Sequence, residues 1–155
     1  MTKLIDRAVA RLRSTILRHT PGRQVAALCY RQKGDEKQVL LVTSRDTGRW
    51  IVPKGWHEDG MTPSQAAAQE AWEEAGVRKG NIQDEPLGSY DYLKRLDNGD
   101  DRPIEAEVFP LEVTKLKEEF PEAHQRRRKW VSPAKAATMV REPGLRRILK
   151  RFEGA

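Results

Sequence analysis

Three glutamates, Glu70, Glu73 and Glu74, stand at spacings i, i+3 and i+4 in the segment 55–77. On a helix this spacing puts all three carboxylates on one face, where like charges repel each other. A cation among them would relieve the repulsion, and hard divalent ions such as Mg²⁺ are bound by carboxylate oxygens. The spacing alone leaves two interpretations open, a metal site and an ordinary solvated acidic face.

The residues around the glutamates predict the helix that carries them. Thr62 and Gln65 stand where a capping box has its N-cap and third helical residue, and Pro63 occupies the first helical position. Gly76 suits the left-handed conformation that ends many helices. We therefore expect a helix from about Pro63 to Ala75.

This helix is expected to pack on a sheet. Its face away from the glutamates carries mostly small apolar residues, which allow a close approach; they are Ala68, Ala71, Trp72 and Ala75. Upstream, residues 49–53 predict a short strand that leads into Lys54 and Gly55. Strand, glycine loop and carboxylate helix form one predicted unit.

The unit resembles the Nudix box, whose pattern is G-x5-E-x7-R-E-U-x-E-E-x-G-U, with U an aliphatic residue. The matching residues are Gly55, Glu70, Ala71, Glu73, Glu74, Gly76 and Val77. Two positions depart from the pattern, since Met61 replaces a Glu and Gln69 replaces an Arg. Because both charges are missing together, neither is left without its partner. We interpret the change as loss of a supporting ion pair with retention of the metal-binding set.

The runs 24–30, 38–45 and 49–53 make the chain similar to the diphosphoinositol polyphosphate phosphohydrolase branch of the family. The similarity covers residues 23–77 well and residues 125–131 more loosely. Lys54 stands where the branch usually has glycine, as in a bacterial-type variant. The resemblance implies an α/β protein, a Nudix-type α/β/α sandwich with a mixed β-sheet. It also implies a hydrolase that needs Mg²⁺, for which Mn²⁺ can substitute.

The resemblance further implies roles for individual residues. Glu70, Glu73, Glu74 and the backbone carbonyl of Gly55 would hold the metal. Either Glu74 or Glu70 would take a proton from the attacking water as general base. These assignments make the carboxylate helix the centre of the expected chemistry.

Basic residues near this unit and near a late Arg/Lys-Trp strand are expected to bind phosphates. They are Arg45, Arg49, Lys54, Arg126 and Arg128. In many Nudix enzymes the loop before that strand also brings in an acidic residue. Glu119 and Glu122 are the two candidates for this auxiliary acid.

The expected substrate has the form X-P-P-Y and is cut at the phosphoanhydride. A dinucleoside polyphosphate or a diphosphoinositol polyphosphate is favoured, followed by a nucleotide sugar or ADP-ribose. RNA with a 5′ pyrophosphate and a non-catalytic binding module are the remaining alternatives. The three retained glutamates argue against the binding module, because binding alone does not need a repulsive cluster. An aromatic platform for a base is available in Trp50, Trp56, Tyr90 or Tyr92.

Composition agrees with one small enzyme domain. The 155 residues include 29 basic and 23 acidic ones, and the net charge of +6 favours an anionic partner. A small-molecule polyphosphate is preferred over nucleic acid as that partner, and the oligomeric state is left open. Cys29, the only cysteine, excludes an intramolecular disulfide. The lack of a signal peptide and of a membrane-spanning apolar run predicts the cytoplasm.

The remaining pattern predicts the order of the other elements. Residues 1–22 indicate a basic amphipathic helix packed on the domain, and residues 23–155 a single Nudix domain. We expect strands at 23–31, 38–44, 86–96 and 103–114, and helices at 133–139 and 144–152. Gly34-Asp35 is predicted to form a hairpin turn, and Lys79-Gly80-Asn81 another turn.

Overall fold

The computed structural model describes residues 21–154, so the helix predicted for residues 1–22 lies almost entirely outside the described residues. Residues 21–154 contain eight strands and three helices. The strands are β1 (Gly22–Lys33), β2 (Glu36–Thr43), β3 (Trp50–Ile51), β4 (Lys54–Trp56), β5 (Val77–Ile82), β6 (Gly88–Arg95), β7 (Asp101–Leu116) and β8 (Arg128–Val131). The helices are α1 (Pro63–Ala75), α2 (Pro133–Met139) and α3 (Pro143–Glu153).

The strands form one mixed sheet, as expected. The main path runs β3-β2-β1-β7-β5, while β4 pairs with β1, β6 with β7, and β8 with β2. Only the β1–β7 pair is parallel among these strands, with Gly22 opposite Ile104 and Tyr30 opposite Glu112. The long β7 therefore lies between the central strand β1 and its hairpin partner β6.

Helices cover both faces of the sheet, because the central strand β1 is apolar on both sides. Ala27 and Cys29 face α1, whereas Ala26 and Leu28 face the cluster built with α2 and α3. This confirms the predicted sandwich of helices around a mixed sheet. Burial raises the pKa of the Cys29 thiol, so the residue is an inert part of the core.

Helix α1 has the predicted bounds because its end signals are local. The Thr62 side chain accepts a hydrogen bond from the Gln65 amide, the Gln65 side chain accepts one from the Thr62 amide, and Gly76 has φ 76°. The predicted apolar stripe was partly wrong. The fully buried alanines are Ala67, Ala71 and Ala75, whereas Ala68 and Trp72 are half-buried.

Two other predictions need correction. Residues 49–53 form no single strand: Pro53 has no N–H for a ladder and its carbonyl accepts a hydrogen bond from Ala27 N, so β3 ends before it and β4 begins after it. Lys79-Gly80-Asn81 is part of β5 and not a turn. Gly80 permits this strand because a Cβ there would overlap the Glu112 carbonyl.

The remaining elements follow the predicted order. Gly34-Asp35 is the two-residue turn between β1 and β2, with Gly34 at φ 61°. Helix α2 has the predicted bounds, and α3 is one residue longer at each end. None of the helices within residues 21–154 is long and apolar enough to cross a membrane.

Candidate active site

An open cleft of about 1150 Å³ is lined by residues of β4, α1 and β6, by the loops before β3 and β8, and by the segment that leads into α3. We call the side formed by Glu70, Glu73, Glu74, Glu122 and Arg126 the helix wall. We call the side formed by Trp56, Tyr92, Leu93, Lys94 and Glu142 the hairpin wall, because the β6–β7 hairpin contributes most of it. The predicted carboxylates Glu70, Glu73 and Glu74 therefore all line this cleft.

Gly55 and Glu70 are in direct contact. Gly55 lies in β4, opposite Val25 of β1, and α1 brings the Glu70 carboxylate onto its backbone. A Cβ at position 55 would overlap that carboxylate, so glycine is required by the close approach and not by its φ angle. The structure thus brings together two of the residues that sequence assigned to the metal.

Glu74 is the most buried of the three box glutamates, with 4 % of its surface exposed. One carboxylate oxygen accepts a hydrogen bond from the Lys54 amide at 2.9 Å. The other lies 2.7 Å from the Arg126 guanidinium, whose side chain is only 6 % exposed. A buried carboxylate is tolerated here because a backbone donor and a buried cation both contact it.

Arg126 connects the glutamate helix to the loop before β8. Besides Glu74 it contacts the Glu122 carboxylate at 3.2 Å and donates to the Thr43 carbonyl at 2.9 Å. The Glu122 amide donates to the Glu73 carbonyl at 3.0 Å, which fastens the loop to α1. Arg45 contacts Glu122 from the cleft side at 3.2 Å. Glu122 therefore belongs to the carboxylate cluster.

The charges of the cluster act on one another. Burial and the neighbouring carboxylates of Glu74 and Glu73 raise the pKa of Glu70 to about 7. Burial also raises the pKa of Glu74, although Arg126 opposes the shift. Burial lowers the pKa of the Lys54 ammonium, which Glu74 and Glu142 partly offset. The helix wall therefore holds more negative charge than its own cations neutralise.

The donor set fits a hard divalent cation by its chemistry. Within residues 21–154 no three acidic, histidine or cysteine side chains already converge as a ligand set, since Glu74 is turned to Arg126 and Glu73 accepts a hydrogen bond from Gln69. Glu70 accepts no hydrogen bond from the described residues, and its carboxylate lies against Gly55 in a repulsive cluster. Oxygen donors with excess negative charge are those that Mg²⁺ prefers.

The structure places some of the predicted phosphate-binding residues in the cleft and one of them outside it. Arg45, Arg49, Lys54 and Arg126 line the cleft. Arg128 does not, because its guanidinium donates to the carbonyls of Ala75 and Lys117 at the end of α1. Glu119 is exposed and lies 3.6 Å from His124, outside the residues that line the cleft. Of the two candidates for the auxiliary acid, Glu122 lines the cleft and Glu119 does not.

The hairpin wall is built from aromatic and charged groups. Trp56 is 40 % exposed, with Lys94 and Arg102 lying 5.7 and 5.1 Å from its ring centroid. The Lys54 ammonium lies 5.1 Å from the Tyr92 ring centroid, and the Tyr92 hydroxyl donates to Gln24. An exposed indole with cations beside it suits an anionic substrate that also carries an aromatic group.

Comparison with known families identifies this arrangement, since the NUDIX domain model matches residues 21–152. The chain belongs to the Nudix family. It is 34 % identical over 118 residues to the mitochondrial Nudix hydrolase 12 of Arabidopsis thaliana, a match that covers 74 % of this chain and 58 % of that protein. It is 36 % identical over 110 residues to diphosphoinositol polyphosphate phosphohydrolase 3-alpha of Mus musculus, covering 70 % and 62 %. The chain thus spans about three fifths of these relatives.

Solved structures share the Nudix fold. The Ap4A hydrolase of C. elegans superimposes with a TM-score of 0.64 at 19 % identity, covering 87 % of this chain and 98 % of that one. The NUDIX domain of Shewanella oneidensis NrtR, complexed with ADP ribose, also gives 0.64, at 16 % identity and with 87 % and 88 % covered. At these identities the likeness shows the fold alone. Plant relatives are named as mitochondrial or chloroplastic, and the cytoplasmic location of this Nudix protein stays a prediction.

The two departures from the Nudix box have different surroundings. Gln69 donates to Glu73 at 3.0 Å, so a neutral amide occupies the place of the family's arginine. Met61 is half-buried and packs against the apolar cluster under α1. Arg126 comes from a distant segment and supplies a cation to Glu74. The box therefore lacks the charge pair of the family pattern, while the loop before β8 provides a cation to Glu74.

Sequence reasoning missed three residues of the site. Thr43 is buried and anchors the loop before β8 through its carbonyl and hydroxyl oxygens. Gln24, a buried polar residue in an otherwise apolar strand, accepts a hydrogen bond from the Tyr92 hydroxyl. Its polarity within that apolar run is the sequence signal that could have identified it. Glu142 lines the cleft just before α3, and nothing in the local sequence marks it.

Proposed function

We propose that this Nudix protein is a metal-dependent hydrolase that cleaves the phosphoanhydride bond of an X-P-P-Y substrate. The observation that carries the proposal is the packing of the Glu70 carboxylate on the Gly55 backbone, inside a cluster of carboxylates that faces a cleft lined by cations. This arrangement is unfavourable without a positively charged partner. A divalent cation would neutralise the carboxylates, and a substrate phosphate would neutralise the cations that line the cleft.

Glu70, Glu73 and Glu74, with the Gly55 carbonyl, are the residues that would hold Mg²⁺, with Mn²⁺ as substitute. When bound, the metal neutralises phosphate charge and makes water a better nucleophile. Lys54 presents an ammonium that makes no ion pair with a described residue, and Arg45 and Arg49 are exposed at the cleft. We assign these three cations to the substrate phosphates.

Glu70 is our preferred general base. Each oxygen of Glu74 already accepts one contact, from Lys54 or from Arg126, so we assign its remaining lone pairs to the metal and not to a water proton. Glu70 accepts none from the described residues, so its lone pairs are free for a water proton. Arg126 would then act as a positioning residue that fixes Glu74 and Glu122 while the reaction proceeds at Glu70.

The substrate class follows from the charge and from the relatives. A dinucleoside polyphosphate or a diphosphoinositol polyphosphate supplies several phosphates for the cations of the cleft. A relative named as a diphosphoinositol polyphosphate phosphohydrolase and a fold neighbour named as an Ap4A hydrolase support these two classes. Nucleotide sugars, ADP-ribose and RNA with a 5′ pyrophosphate are the alternatives for the same chemistry.

The test is turnover of a substrate panel with and without Mg²⁺, with products separated by ion-exchange chromatography. The panel contains diadenosine tetraphosphate, diphosphoinositol pentakisphosphate, ADP-ribose, a nucleotide sugar and 5′-triphosphorylated RNA. We expect Mg²⁺-dependent cleavage of at least one member, lost in Glu70→Gln and kept in Glu85→Gln, whose carboxylate is exposed outside the cleft. Absence of turnover on every phosphoanhydride would refute the proposed activity.

A further inference from the structure

We infer that Glu142 is a specificity-determining residue that accepts a hydrogen bond from a neutral hydroxyl or amino group of the substrate. The part of the substrate on the hairpin wall is then a nucleoside and not a phosphate-dense inositol ring. The inference rests on the proposed function of the same cleft and selects between its two favoured substrate classes.

Glu142 has a carboxylate that the fold does not use. It precedes α3 at the N-cap position, where a side chain commonly accepts a bond from a first-turn amide, yet it makes no such bond. It lines the cleft, and its Oε2 atom is buried without a hydrogen-bond partner among the described residues. Buried acceptors are normally satisfied, so turning this carboxylate towards a donor in the cleft would be favourable.

No neighbouring donor among the described residues pairs with that oxygen. The Tyr92 hydroxyl already donates to Gln24. Burial lowers the pKa of Lys54, and the negative charge of Glu142 partly offsets this shift. The two side chains nevertheless form no ion pair. The Lys54 ammonium instead lies over the Tyr92 ring. Glu142 and Lys54 therefore both line the cleft without forming an ion pair with each other.

The charges around Glu142 select the kind of ligand. A phosphate next to the carboxylate would be repelled, and a second metal ion would be repelled by Lys54. A neutral donor remains, such as a ribose hydroxyl or the amino group of a base. A fully phosphorylated inositol ring has no neutral hydroxyl to offer. The exposed Trp56 indole adds a flat apolar surface that suits a base and not a polyphosphorylated ring.

The experiment measures kcat and KM with diadenosine tetraphosphate and with diphosphoinositol pentakisphosphate. We compare the wild type with Glu142→Ala, which removes the acceptor, and Glu142→Gln, which keeps an acceptor without the charge. For Glu142→Ala we expect kcat/KM on the dinucleotide to fall about tenfold through KM, the scale of one hydrogen bond to a charged group. Glu142→Gln should lose less, and cleavage of the inositol substrate should stay level or rise.

The matched control is Asp91→Asn, which removes an exposed carboxylate from the same cleft. We expect it to change kcat/KM less than Glu142→Gln does. A loss in Asp91→Asn equal to that in Glu142→Gln would show that any negative charge in the cleft has this effect, and it would overturn the inference. The inference would also be overturned if Glu142→Ala affected both substrates equally or left the KM for the dinucleotide unchanged. A wild type that cleaves only the inositol substrate would overturn it as well. If the wild type cleaves no phosphoanhydride at all, the proposed function itself fails.

Discussion

The two walls of the cleft differ in how their polar groups are paired. On the helix wall, Glu74 and Arg126 are buried and contact each other, and Glu122 joins them. On the hairpin wall, Trp56 is exposed and Glu142 has an oxygen without a partner among the described residues. The fold thus pairs Glu74, Glu122 and Arg126 with one another and leaves Glu70 open on the wall to which we assign the chemistry, whereas Glu142 is left open on the wall to which we assign the rest of the substrate.

The largest expected effect is loss of the helix-wall carboxylates. Glu70→Gln removes the proposed general base and Glu74→Gln a proposed metal ligand, and each should lower kcat by at least ~10²-fold, the usual scale for loss of a general base. Because these residues act on the reacting phosphates, the factor should be similar for every substrate of the panel. Steady-state kinetics with two substrates measures it. Near-normal rates would exclude the residue from the role that we assign to it. A loss confined to one substrate would contradict the assignment of the reacting phosphates to the helix wall.

Removal of the buried cation should cost stability. Arg126→Met leaves the Glu74 carboxylate without its ion partner, and we expect the free energy of unfolding to fall by about 3 kcal/mol. Urea denaturation measures the loss. The double variant Arg126→Met/Glu74→Gln removes both charges and should recover part of the stability. If the double variant were less stable by the sum of the two single losses, the pair would not be coupled.

Metal binding should depend on pH through Glu70. Its folded-state pKa of about 7 lies above the ordinary 4.5, so the folded protein binds this proton more tightly than the unfolded chain. The resulting stability is present below pH 4.5 and is lost as the pH rises through 7. Mg²⁺ should replace the proton, and raise Tm by at least about 2 °C more at pH 8 than at pH 5.

Differential scanning fluorimetry with Mg²⁺ or with EDTA measures these Tm values. In Glu70→Gln the pH-dependent part of the Mg²⁺ effect should disappear, while Glu85→Gln should behave like the wild type. An equal rise of Tm at both pH values would place the metal away from Glu70.

The smallest effect is expected at the altered box positions. Gln69→Arg alone should leave kcat/KM within about twofold, because no acid stands at position 61 to pair with it and the guanidinium would only take over the amide's contact with Glu73. Only Met61→Glu together with Gln69→Arg rebuilds the family's charge pair. Since Met61 packs against the apolar cluster, we expect the double variant to be less stable than the wild type. A large gain of activity from Gln69→Arg alone would contradict the ion-pair hypothesis.

The sequence was sufficient for helix α1 and its three glutamates because their signals are local. The capping box at Thr62, the spacing of the glutamates and the terminating Gly76 are all within fifteen residues, and they predicted the bounds of α1 correctly. The buried stripe was predicted correctly at Ala71 and Ala75 and wrongly at Ala68 and Trp72, because its position depends on the angle at which α1 meets the sheet. That angle is set by residues far away in the chain.

Long-range packing decided the rest of the site. Glu119 and Glu122 look alike in sequence, but only Glu122 is held to α1 through its own backbone amide. Arg126 and Arg128 lie in one basic run, yet Arg128 is used to satisfy carbonyls at the end of α1. Glu142 meets the cleft only because α3 packs against β6. The positions of such residues relative to the cleft can be assigned only once the sheet order is known.

The buried thiol of Cys29 has a practical consequence for observing this protein at work. Since it is the only cysteine of the chain and is sealed in the core, maleimide dyes should leave it unmodified in the folded protein. Leu93, on the hairpin wall, is 66 % exposed. A Leu93→Cys variant would therefore accept a single fluorophore at the mouth of the cleft, so that ligand arrival could be followed in real time without first removing a native thiol.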